Sequence, residues 1–147
     1  LFLFILCFIF NQSSSSPVGK GLSCFVNNKI DHSNFKSFRG LFFESDKSVR
    51  VVSFKIKNNS LKIISKQTPY KTSNEKIRFK IKFIWYGNIS FEDFVLDRDT
   101  LSINHEFEGR TNKLNCEILT DDFMSAMNKL KLNFQINFES KLKSKKI

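Results

Sequence analysis

Between Lys76 and Trp85 the chain alternates, broken only at Ile84. Ile77, Phe79, Ile81, Phe83 and Trp85 occupy the odd positions, and Arg78, Lys80 and Lys82 stand between them. A period of two places the apolar set on one face of an extended strand and the cations on the other. A helix would scatter both sets around its axis. The segment therefore reads as a strand of a sheet with one dry face and one wet face.

The flanking sequence repeats that grammar in shorter pieces. Gly21–Val26 is a short apolar strand. Asn27–Lys36 is polar and turn-like. Phe38–Glu44 is a second strand, bent at Gly40. In Ser48–Lys57, Val52, Phe54 and Ile56 share a face. Asn58-Asn59 then supplies residues that tolerate positive φ in a tight hairpin, and Ser60–Lys66 returns. Thr68–Glu75, with Pro69, reads as a loop, and Gly87–Asp93 as a turn region. Phe94–Leu96 and Thr100–His105 flank Asp97-Arg98-Asp99 as another hairpin, and Leu114–Leu119 is the last strand. Thr120-Asp121-Asp122 is a helix N-cap. Phe123, Met127, Leu130 and Phe134 follow at helical spacing, and the pattern weakens beyond Phe134. The prediction is a mainly β fold: an antiparallel meander closing into a small barrel or sandwich, with a C-terminal amphipathic helix.

The first ten residues, Leu1–Phe10, are apolar apart from Cys7, and a serine run, Ser13–Ser16, follows. The run suits the apolar core of an export signal and is too short for a bilayer span of roughly 20 residues. A start methionine and a basic segment are expected upstream of it. An uncleaved anchor and a buried first strand are the alternatives. The predicted organisation is 1–16 export signal, 17–20 linker, 21–135 a single domain with its helix, and 136–147 a basic tail. Removal of the signal takes Cys7 with it and leaves Cys24 and Cys116, which in an oxidising compartment read as one disulfide. A secreted or periplasmic protein is expected.

The net charge is +10. Most of it is lysine; Arg39, Arg50, Arg78, Arg98 and Arg110 are the only arginines. Bidentate reading of phosphates and base edges favours arginine, so specific nucleic-acid binding is not expected. The candidate contact for an anionic surface is the basic face of Arg78, Lys80 and Lys82, which otherwise is a solvated sheet face. With only 5 Gly, phosphate-cradling loops are poorly supported, and no serine sits in a nucleophile elbow. His32 and His105 lack ligands at metal spacing, so neither metal nor cofactor is expected. His105, with a carboxylate such as Asp97 or Asp99, is the candidate for acid–base chemistry; a structural histidine is the ordinary reading. Asn11, Asn58 and Asn88 begin glycosylation acceptor triplets, of a kind that an asparagine- and serine-rich chain also produces by chance.

Gly21–Cys24, Trp85, the segment Leu96-Asp97-Arg98-Asp99-Thr100-Leu101, Cys116 and the closing helix together resemble a group of short exported proteins of marine bacteria and their viruses. The resemblance brings no activity, cofactor or substrate. It implies an architecture, with Leu96 and Leu101 in the core on either side of a turn held by Asp97 and Thr100, and Arg98 paired with a carboxylate. The expected protein is a monomeric, non-enzymatic exported domain that binds an anionic envelope surface or a protein partner. One variant of that reading binds a small apolar ligand inside the barrel against Phe79, Phe83 and Trp85. The alternative is a small extracytoplasmic enzyme using His105.

Overall fold

The computed structural model describes residues 15–26 and 34–144. Among them, eight strands run in chain order: β1 (Gly21–Phe25), β2 (Arg39–Phe43), β3 (Ser48–Lys57), β4 (Ser60–Thr72), β5 (Lys76–Trp85), β6 (Asn88–Asp97), β7 (Ser102–Phe107) and β8 (Arg110–Ile118). A single helix, α1 (Phe123–Ser144), follows. Each strand pairs antiparallel with the next, and β8 returns to β1, so the sheet closes into a barrel. The mainly β meander with a C-terminal helix is thus the fold, in its barrel form. Most of the expected export signal, with Cys7, and His32 lie outside the described residues, as do 145–147.

One end of the barrel carries three two-residue hairpins beside the connection from β1 to β2. Asn58-Asn59, Tyr86-Gly87 and Glu108-Gly109 all hold positive φ at both positions, the geometry that matches the twist of paired strands. The other end carries longer connections. There Asp97 Oδ1 accepts the N–H of Asp99 (3.1 Å) and of Thr100 (2.9 Å), and Leu96 and Leu101 pack into the core as expected. Arg98 departs from expectation. It donates to the carbonyls of Ser73 (3.3 Å), Asn74 (3.5 Å) and Ser15, and so ties loops together, with no carboxylate partner among the described residues.

Two apolar clusters share the wall of the barrel. The inner one holds Leu22, Leu41, Phe43, Val49, Val51, Ile77, Phe79, Phe94, Leu96, Ile103 and Leu114 around the disulfide Cys24–Cys116. The outer one sits between β1–β4 and the helix, with Phe25, Phe38, Val52, Phe54, Met127 and Phe134 at its centre. The shared face of Val52, Phe54 and Ile56 therefore points outward, under the helix. Gly40 is buried there because the helix comes close. A Cβ on it would lie 2.6 Å from Met127 Sδ. That close approach is a reason for glycine here.

Several boundaries move. Asp122 Oδ2 caps the helix at the N–H of Ser125 (2.9 Å), as the N-cap prediction requires. The helix then runs ten residues past Phe134 to Ser144, because Phe138 still packs on the outer cluster. Most of the expected basic tail is thus helical. The expected linker is tied down by Gly19 N–H to Phe43 O (2.8 Å) and Phe43 N–H to Lys20 O (3.1 Å). The loop expected at Thr68–Glu75 is strand as far as Thr72, and the turn region expected at Gly87–Asp93 is strand from Asn88.

Candidate functional site: the outer face of the β5–β6 hairpin

β5 and β6 pair over their whole lengths, from Lys76–Asp97 to Trp85–Asn88. Their outer partners stop early. β4 pairs with β5 only at Ile77, Arg78 and Phe79, and β7 pairs with β6 only over Asp93–Asp97. From Ile81 to Glu92 the hairpin has backbone pairing only with itself; Ile81 and Phe83 still pack on the barrel, and the part beyond them, from Ile84 to Ile89, is an exposed arm.

The outer face of the hairpin changes character along its length. Its cross-strand pairs are Arg78–Val95, Lys80–Asp93, Lys82–Phe91 and Ile84–Ile89, capped by the Tyr86-Gly87 turn. The basic face expected at Arg78, Lys80 and Lys82 is therefore assembled, outward and exposed. Lys80 Nζ meets Asp93 Oδ1 at 2.9 Å. Neither Arg78 nor Lys82 has a salt bridge among the described residues. Beyond Lys82 the face turns apolar: Phe91 is 49% exposed, Ile89 57%, Ile84 70% and Tyr86 91%. Isolated exposed apolar residues are ordinary, but a contiguous group at the end of a projecting element marks an interaction site. The sequence reading assigned the cations and missed the tip, because it took Gly87–Asp93 for a turn. The signal was Ile89 and Phe91 on alternate positions.

As far as Phe83 the inner face of the same strands is packed with rings. Phe79 stacks on Phe94 (centroids 4.9 Å apart), and Phe94 on His105 (4.6 Å), one ring per strand at matching register. Phe83 lies against Phe107 at 5.2 Å. Phe79, a wall of the expected ligand cavity, is covered by its neighbour.

A second polar cluster closes one mouth of the barrel. His105 is buried, and its Nε2 lies 3.2 Å from Glu92 Oε2 but is not aligned for a hydrogen bond. Arg39 Nη2 reaches the same oxygen at 3.3 Å, while its Nη1 donates to Lys36 O (2.9 Å) and Phe38 O (2.8 Å). Burial pushes the Glu92 carboxyl up, but the His105 ring and the Arg39 guanidinium outweigh it and hold the group below its ordinary value. The carboxylate partner of His105 is thus Glu92, and not Asp97 or Asp99, which sit in the loop at the opposite end. His105 and Arg39 also line a cavity of about 320 Å³ with Asn112 and Leu114. Among the described residues no group of His, Cys, Asp and Glu is placed to hold a metal ion, and no helix is long and apolar enough to cross a membrane.

Comparison with family models, with curated proteins and with solved structures returns no match.

Proposed function

We propose that this is a non-enzymatic binding domain, exported to an oxidising compartment, that attaches to an anionic envelope surface through the β5–β6 arm. The observation that carries the reading is the order of residues on the outer face of the arm. An apolar tip leads, and cations follow it. Strand geometry puts Ile84 about 7 Å from Lys82 and about 13 Å from Lys80. An interfacial element buries its apolar part roughly 5–10 Å deep and keeps its cations at the headgroups. The tip and the basic residues match those two depths. The buried disulfide supports the oxidising compartment.

Sedimentation with vesicles tests this. The domain is expected to bind vesicles of phosphatidylcholine mixed with phosphatidylserine, more weakly as salt rises, and not to bind phosphatidylcholine alone. Each cation near such a surface contributes about 1 kcal/mol, so reversing Arg78, Lys80 and Lys82 to Glu is expected to lower binding by at least ~10²-fold. A reversed triple that binds as well as the parent ends the reading.

One observation favours a second reading, a small acid–base enzyme: His105 lies against Glu92 beside a cavity. That reading requires turnover of a simple ester probe such as p-nitrophenyl acetate, lost in His105→Gln with the fold intact. Equal rates in the two proteins exclude it.

A further inference from the structure

One joint of the barrel wall is left largely unpaired by its backbone. β4 and β5 pair only at Tyr70–Phe79, Lys71–Arg78 and Thr72–Ile77, although β4 begins at Ser60 and β5 continues to Trp85. The cause is chemical. The Tyr70 N–H turns toward β3 and donates to Lys47 O at 3.1 Å. Strand alternation then directs the backbone groups of Pro69 and Lys71 toward β5. Pro69 has no N–H to donate, and the ladder stops there. The carbonyl of Lys80, opposite it, takes the Thr68 hydroxyl at 2.6 Å, and the carbonyl of Lys82 takes Lys66 Nζ at 3.2 Å. Side chains thus stand in for two missing backbone donors.

Charge weakens the short paired part as well. Lys71 faces Arg78 across it, and like charges directly opposed weaken a strand pair. On the outer face Lys71 lies along one edge and Arg78, Lys80 and Lys82 along the other, and neither strand carries Asp or Glu. A cavity of about 460 Å³ sits over the joint, between Pro69-Tyr70-Lys71 and Arg78-Phe79-Lys80, and reaches Asp93, the partner of Lys80, on β6.

We infer that this joint parts to accept an extended acidic peptide as an added strand on the edge of β5, which displaces the Thr68 hydroxyl and Lys66 Nζ from the carbonyls of Lys80 and Lys82. The backbone groups of Lys80, Lys82 and Ile84 face the joint and pair with the incoming strand. Carboxylates on alternate residues of the peptide meet Lys71, Arg78, Lys80 and Lys82 on the outer face, and the residues between them point inward. Backbone bonds supply affinity in this mode, and the alternation supplies selectivity. The site shares Arg78, Lys80 and Lys82 with the surface contact proposed above and differs from it in using the backbone edge of β5.

The test uses the oxidised full chain and a synthetic peptide of alternating Glu and Val, with a control peptide holding the same residues in two blocks. The alternating peptide is expected to bind at least ~10-fold more tightly than the block peptide and to slow hydrogen exchange at the amides of Lys80, Lys82 and Ile84. Pro69→Val restores the missing donor and is expected to zip the joint, weakening the peptide at least ~10-fold while the melting temperature holds or rises. Equal affinity for the two peptides, protection confined to other strands, or an unchanged affinity in folded Pro69→Val overturns the proposal. So does protection of the same three amides by phosphatidylserine vesicles in place of the peptide. Should Pro69→Val not fold, the exchange map of the parent protein decides by itself.

Discussion

The two sides of the barrel are built to different standards. Around β1–β3 the wall is dry on both faces, with the inner cluster on one and the helix on the other; all of β1 is buried. Its junction with β8 is stapled. Cys24 and Cys116 face each other in the register, and the Cys116 N–H turns away to Leu101 O, so they form a non-hydrogen-bonded pair, the one that brings side chains closest. Around β5–β6 the wall is dry only inside. Its junction with β4 is short and lined with cations, and its hairpin projects. The comparison separates holding from binding. One side spends its apolar residues on packing, and the other presents them.

The largest break in that comparison is the staple. Replacing Cys24 and Cys116 with Ser releases a loop whose ends are 92 residues apart and is expected to lower stability by about 4 kcal/mol in chemical denaturation. An equal loss from opening the β4–β5 joint would erase the distinction. Gly40→Val, which drives a side chain into Met127, is expected to cost about 3 kcal/mol, read as a lower melting temperature, and to leave vesicle binding by the folded protein unchanged.

Glu92 links the two sides, since Arg39 belongs to β2 and His105 to β7. Glu92→Gln is expected to cost about 2 kcal/mol at neutral pH. Because the folded carboxyl sits below its ordinary value of 4.5, its contribution is complete above that pH and drains away as pH falls through the lower folded value. Urea melts of parent and variant are therefore expected to differ at pH 7 and to converge as pH falls below 4.5. A constant gap would mean that packing, and not charge, joins the sides there. The smallest effect has the opposite sign: Pro69→Val is expected to add about 1 kcal/mol by restoring one strand bond. A destabilised variant would show that the joint is strained and not merely unpaired.

The stapled side was the more legible in sequence. Two cysteines, a strand near each chain end and an N-cap before an apolar period suffice for the disulfide and for the start of the helix. What escaped was whatever depends on a partner strand. Val52, Phe54 and Ile56 read the same whether they face a barrel interior or a helix. Pro69 argues for a loop until its nitrogen is known to face an unpaired joint. Glu92 belongs to no motif with His105 and reaches it only through the register of β6 on β7. The alternation in β5 gave the cations of the candidate site, but the apolar tip required knowing that Tyr86-Gly87 is the entire turn.

The disulfide also decides how the domain would bear load. Cys24 belongs to the first strand of the barrel and Cys116 to the last, so the bond bridges the two points where a pull from outside enters the fold. Tension applied through the segments that flank them passes from sulfur to sulfur. The strands between, with the soft joint and the projecting arm, lie off the line of force. Extended in a single-molecule trap, the oxidised protein should yield only the chain outside the pair, and the barrel should lengthen only after reduction.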